Sequence, residues 1–152
     1  MTYITAEARQ EMLDDIAHAI DAMAQALAAL GGAYELLDDA TADALEEQLF
    51  RPVQLAYGRA KRTHTEFARR YDFPERAFAP AVPGAPSHGV KGFVDTAVDA
   101  VDEADRTLTE IQDSMMPVEV GDPELRAGLA DTRARLGGVR GAARDFVRTL
   151  GR

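Results

Sequence analysis

The sequence predicts an all-α fold, an antiparallel up-down-up-down four-helix bundle, on three observations. Apolar residues recur at steps of three and four through most of the chain. No strand-like alternation of any length competes with that period. Two of the three connections between helical stretches are short, which makes consecutive helices antiparallel neighbours. At 152 residues the chain is long enough to bury one core unaided, so residues 1–152 form a single domain.

The first helix carries Met12, Ile16, Ala19, Met23, Ala26 and Leu30 on one stripe, widened by Leu13, Ile20 and Leu27. That width suits a globular core and not a narrow two-stranded seam. Thr5 is the expected cap at its start, and Gly31 and Gly32 its expected end. The second helix carries Leu45, Leu49, Val53, Ala56, Ala60, His64, Phe67 and Tyr71. Pro52 has no amide donor and crowds the preceding turn, so a distortion is expected near Leu49. Whether residues 33–40 belong to this helix or form a break at Asp39–Thr41 is left open by the pattern.

Residues 73–88 read FPERAFAPAVPGAPSH, a Pro-rich loop between helices 2 and 3 that is long for a compact domain. Helix 3 follows with Val90, Val94, Ala97, Val101, Ala104, Leu108, Ile111 and Met115, and Pro117 stops it. Asp122-Pro123 opens helix 4, an N-cap followed by proline at the first helical position. Its stripe is Leu125, Leu129, Thr132, Leu136, Val139, Ala143, Phe146 and Leu150. Gly137, Gly138 and Gly141 interrupt it, each costing about 1 kcal/mol against alanine in a helix interior. Close helix packing is the first explanation of these glycines, and a kink the second.

The net charge is −9. Zero cysteine excludes disulfides, thiolate catalysis and cysteine-held metal clusters. The opening MTYITAEARQ has no basic region followed by an apolar run, and no apolar stretch approaches the roughly 18–20 residues of a membrane span. A cytoplasmic chain with no membrane contact is expected. The Ala, Arg and Asp content with only two lysines suggests a bacterial source.

In an up-down-up-down bundle one pole gathers residues 1–10, 59–93 and 139–152. Twelve basic and five acidic side chains fall there, net +7, against −16 for the rest. The same pole collects Tyr3, Phe67, Tyr71, Phe73, Phe78, Phe93 and Phe146, seven of the ten aromatics. A hydrophobic plug is one account of this pole. A mouth for an acidic protein or anionic small molecule is the other. Its expected anion- or partner-binding residues are Arg62, Arg69, Arg70, Ser87, His88, Lys91, Arg144 and Arg148. Ser87, His88 and Lys91 sit at a helix start, where unpaired amides favour an anion. Nucleic acid is disfavoured by the acidic body.

Catalytic and metal candidates are thin. His18 has Asp14, Asp15 and Asp21 within a turn but lies off the apolar stripe, so an exposed, ion-paired histidine is expected. His64 lies on the stripe and reads as a core or boundary histidine. No Glu-x-x-His is present for a di-iron bundle. Asp95 and Asp99 on helix 3 have the Asp-x-x-x-Asp spacing, which resembles the metal-binding carboxylates of phosphate-uptake-regulator-like bundles over these few residues. No catalytic residue, cofactor or metal is assigned. The expected function is a non-enzymatic helical interaction module, monomer or homodimer, that uses the basic aromatic pole. The alternative is a small-molecule or metal-binding sensor using the bundle interior or the acidic face of helix 3.

Overall fold

The computed structural model describes residues 2–85 and 88–150, with side chains from Ile4 onward. The chain is all-helical, with no strand among the described residues. Its elements are α1 (Thr2–Tyr34), α2 (Asp39–Leu45), a π segment (Glu46–Phe50), α3 (Arg51–Arg70), α4 (Gly89–Asp113), α5 (Met116–Glu119), α6 (Pro123–Leu136) and α7 (Val139–Leu150).

Local chemistry explains most boundaries. α1 begins at Thr2, so Thr5 lies inside the helix and is not its cap; α1 also runs through Gly31 and Gly32 to Tyr34. Gly32 is occupied from outside: a Cβ there would stand 2.7 Å from the Phe93 ring. After a short turn the chain restarts at α2, where the Asp38 carboxylate accepts the Thr41 amide at 2.8 Å. Pro52 sits in the first turn of α3, and the turn before it widens into the π segment around Leu49. The distortion follows from the missing proline donor and the ring's crowding of that turn. Asp122 caps α6 as its sequence implies, accepting the Leu125 amide at 2.8 Å. Met115, on the stripe by sequence, is instead a left-handed turn residue, 51% exposed.

One continuous core runs through the molecule. Met12, Ile16, Ile20, Met23 and Leu30 of α1 meet Leu49 and Phe67 from the second rod, Phe93 and Leu108 of α4, and Leu125 and Phe146 from α6–α7. Each large side chain so buried contributes about 1.5–3 kcal/mol of transfer free energy. α1 holds, within Ile4–Tyr34, an 18-residue window apolar enough to cross a membrane by length and composition, with a mean hydropathy of 1.2, which corrects the expectation that no stretch approaches span length. Its apolar character serves core packing here, because 56% of that stretch is inside the fold.

The chain direction differs from the up-down-up-down expectation. α1 and α4 are antiparallel: His18 meets Glu103 at 3.0 Å, and Gly32 meets Phe93. α1 and α3 are antiparallel too, with the Arg9 guanidinium 3.9 Å from the Tyr71 ring centre. α3 and α4 therefore run the same way. α6–α7 opposes both, through Arg70–Asp122 at 2.7 Å, Arg59–Asp131 at 3.1 Å and Arg133–Asp105 at 3.0 Å. The order is up-down-down-up. Residues 73–85 belong to the crossover between parallel helices and pass along the α1–α3 seam. Arg76 approaches Asp21 at 3.7 Å, and the Phe78 ring meets His64.

Candidate binding groove

The up-down-down-up order divides the expected basic pole between the two ends of the molecule. Phe67, Arg69, Arg70, Tyr71 and Phe73 lie at the end where α1 starts. His88, Lys91, Phe93, Arg144, Phe146 and Arg148 lie at the end where α1 finishes. Arg62 and Phe78 lie between them. Ser87, the Tyr3 side chain and Arg152 fall outside the described residues. The grouping of +7 and seven aromatics thus does not form, because the long loop is a crossover and not a cap over one end.

Most members have structural partners. Arg69 holds Glu75 at 2.7 Å. Arg70 grips Asp122 with both ends of its fork, at 2.7 and 2.9 Å, and the Tyr71 hydroxyl donates to the same carboxylate at 3.0 Å. Burial acts to raise the Asp122 pKa, but the Arg70 guanidinium, the Leu125 amide and the Tyr71 hydroxyl outweigh it and hold it below the usual value. Lys91 pairs with Asp95 at 2.9 Å, and Arg148 approaches Asp145 at 3.8 Å. The His88 ring leans on Phe93 with ring centres 5.6 Å apart, and its side chain caps no helix amide. Arg62 is exposed beside a small hollow it shares with Arg59, Arg70 and Glu124. Phe67, Phe93 and Phe146 are core residues, each 2% exposed or less.

What the fold assembles instead is a groove of about 540 Å³ between α4 and α7. Its walls come from the helical period. On α7, Val139, Ala143 and Phe146 turn inward, while Arg140 and Arg144 fall on the outer flank. On α4, Val94 is buried, Val98 borders the groove, and Asp95 and Asp99 form the opposite rim. Val94, Val98, Ala143 and Val147 thus line a slot with arginines on one side and carboxylates on the other. Arg140 is paired with Asp102, and Asp95 with Lys91. Arg144 and Asp99 are exposed and make no ion pair or hydrogen bond among the described residues. Sequence reasoning found Arg144 but missed the groove, which exists only because α7 lies beside α4 in the opposite direction.

The three glycines near this groove do not serve close packing. A Cβ at Gly138 or Gly141 would meet nothing within 4 Å, and one at Gly137 would sit at ordinary contact distance, 3.5 Å. Gly137 and Gly138 mark the break between α6 and α7, the second of the sequence explanations, while Gly141 lies within α7. Close approach occurs at Gly128, where an added Cβ would collide with the buried Thr63 side chain. The Thr63 hydroxyl is already committed, donating to the Arg59 carbonyl at 2.8 Å.

His18 shares a hollow between α1 and α4 with Glu11, Asp15, Glu103 and Glu110. His18 is exposed and bonds Glu103, across to α4, in place of its own-helix aspartates. Asp102 and Asp105 are drawn into pairs with Arg140 and Arg133. Among the described residues no group of three or more His, Asp or Glu could hold a metal ion. No family model matches the chain, and no curated protein or solved structure is significantly similar to it.

Proposed function

We propose that the chain is a four-helix bundle of up-down-down-up order acting as a non-enzymatic interaction module, and that its α4–α7 groove receives an acidic amphipathic helix of a partner protein. The observation that carries this reading is Arg144, an exposed guanidinium with no carboxylate partner among the described residues, beside an apolar slot that neither helix fills. A slot between two helices suits a third helix, whose apolar side chains every third or fourth residue would enter between Val94, Val98, Ala143 and Val147. Arg144 would then select acidic flanking residues, with a planar fork matched to a carboxylate. The loss of the basic pole moves this interaction to another surface without changing the class of partner.

Titration calorimetry with two amphipathic peptides, identical in apolar residues and opposite in charge, tests the reading. The acidic peptide is expected to bind and to weaken as salt rises, since exposed charges are screened beyond about 10 Å at 0.1 M. Arg144→Glu should weaken it about tenfold while leaving the helical signal intact. Equal binding of both peptides, or a fully active Arg144→Glu variant, would remove the groove from consideration.

A further inference from the structure

His64 is the one buried titratable side chain in the fold whose polar atom is left unpartnered among the described residues. It is 3% exposed on α3, and its Nδ1 is buried with no hydrogen-bond partner. α1 closes one side through the Leu13 backbone and the Asp14 carboxylate. The crossover closes the other: the Phe78 ring stands edge-on to the imidazole, with centres 5.1 Å apart at 87°. Arg76, two residues earlier, stacks on Phe78 at 5.6 Å.

The cover itself is lightly held. From Pro74 to Gly84 no backbone group makes a backbone hydrogen bond among the described residues. The Phe73 amide bonds the Ala68 carbonyl at 2.8 Å where the crossover leaves α3. Beyond it lie the exposed Glu75–Arg69 pair and the loose Arg76–Asp21 pair, whose side chains are 50% and 56% exposed. Phe78 is half-buried against the core, and most of its neighbours face solvent.

We propose that the crossover is a pH-released strap, in which protonation of His64 unseats Phe78 and lifts residues 73–85 from the α1–α3 seam. An imidazolium has two N–H donors, and Nδ1 has no hydrogen-bond partner among the described residues. α1 and α3 are fixed by the core, so the strap is the side that yields. Arg76 pushes the same way, because its cation repels an imidazolium beneath it. Asp14 on α1 is the facing anion; it favours the charged form but lies on the outer side of its helix.

The direction of the pH effect follows. Burial first and Arg76 second depress the His64 pKa below its ordinary value of 6.5, against the opposing influence of Leu13 and Asp14. With the strap off, the ring regains an ordinary pKa. The seated strap is therefore fully favoured above about pH 6.5 and loses ground as pH falls below it. Each unit of depression allows up to about a tenfold shift toward the released state.

The chain has no cysteine, so Ala79→Cys, at an exposed position beside Phe78, accepts a single nitroxide on the strap. The electron paramagnetic resonance line should sharpen as pH falls from 7.5 to 5.0, while far-UV circular dichroism stays constant. His64→Leu should hold the label immobile across that range, and His64→Gln should do the same if the leucine variant fails to fold. The His64 imidazole resonance in the unlabelled protein gives an independent readout, with a titration midpoint below 6.5. Unchanged mobility, equal sharpening in the His64 variants, sharpening only together with loss of helix, or an undepressed His64 midpoint would each overturn the proposal.

Discussion

Asp122 does the most at a single position. It caps α6, accepts both ends of Arg70 and the Tyr71 hydroxyl, and so ties the end of α3 to the start of α6. Asp122→Ala removes the cap, worth about 0.5–2 kcal/mol, and leaves the exposed Arg70 guanidinium without its carboxylate. Urea unfolding at pH 7 should show a loss of about 2 kcal/mol or more, and Asp122→Asn, which keeps a capping oxygen, a smaller one. Because its pKa lies below the unfolded value, this carboxylate stabilises the fold above about pH 4 and ceases to as pH falls through its own pKa. The gap between wild type and Asp122→Asn should therefore shrink by about pH 3. Gly128 and Gly141 make a second contrast. Gly128→Ala drives a methyl group into Thr63 and should cost about 1–3 kcal/mol in the same assay. Gly141→Ala meets open space on a helix and should stabilise by up to about 1 kcal/mol.

At the scale of elements, the crossover explains itself by length. α4 has 25 residues and spans about 37 Å, and a chain returning to start it parallel to α3 must cover that distance. From Tyr71 to His88 an extended chain reaches roughly 56 Å, which suffices. Deleting residues 77–84 would leave about 30 Å, too short to bridge. That deletion should abolish cooperative unfolding, whereas replacing the same eight residues by glycine and serine should keep the fold and only loosen the seam. A deletion variant that melts like wild type would mean that the two helices are joined across one end. The α6–α7 rod carries a related lesson. A regular 3–4 stripe continues through residues 137–138 although the helix breaks there, because side-chain period reports the buried face and glycine decides whether the backbone stays helical.

For the molecule as a whole, chain direction controls what is near what. Spin labels at Ile4 and Lys91 should lie about 40 Å apart in this order, since α1 covers that distance from Ile4 to Gly32, which packs beside the start of α4. An up-down-up-down bundle would bring them to the same end, within roughly two helix diameters or about 20–24 Å. The same reversal turns a polarised molecule into one with arginines at both ends, a few of them matched to carboxylates on neighbouring rods. Arg59, Arg70, Arg133 and Arg140 each cross to another helix. Where such pairs are exposed they are worth about 0–1 kcal/mol apiece, so they select the arrangement of rods more than they stabilise it.

The sequence alone determined the helical character, most of the four apolar stripes, the distortion before Pro52, the cap at Asp122 and the buried place of His64, whereas Pro117, expected to stop helix 3, opens α5 after a break at Ser114–Met115. These are local: they depend on side-chain period and on what proline, glycine and aspartate do to the adjoining turn. It also flagged residues 73–88 as too long for a simple turn. Tertiary structure decided the direction of α4, and with it the two-ended distribution of arginines, the groove beside Arg144, the contact at Gly128 and the strap over His64. The physical reason is that a helix of given amphipathicity buries its face equally well running up or down. Direction is chosen by the sum of weak cross-helix pairs and by how far the connecting chain can reach, and neither is written in the period of any one segment.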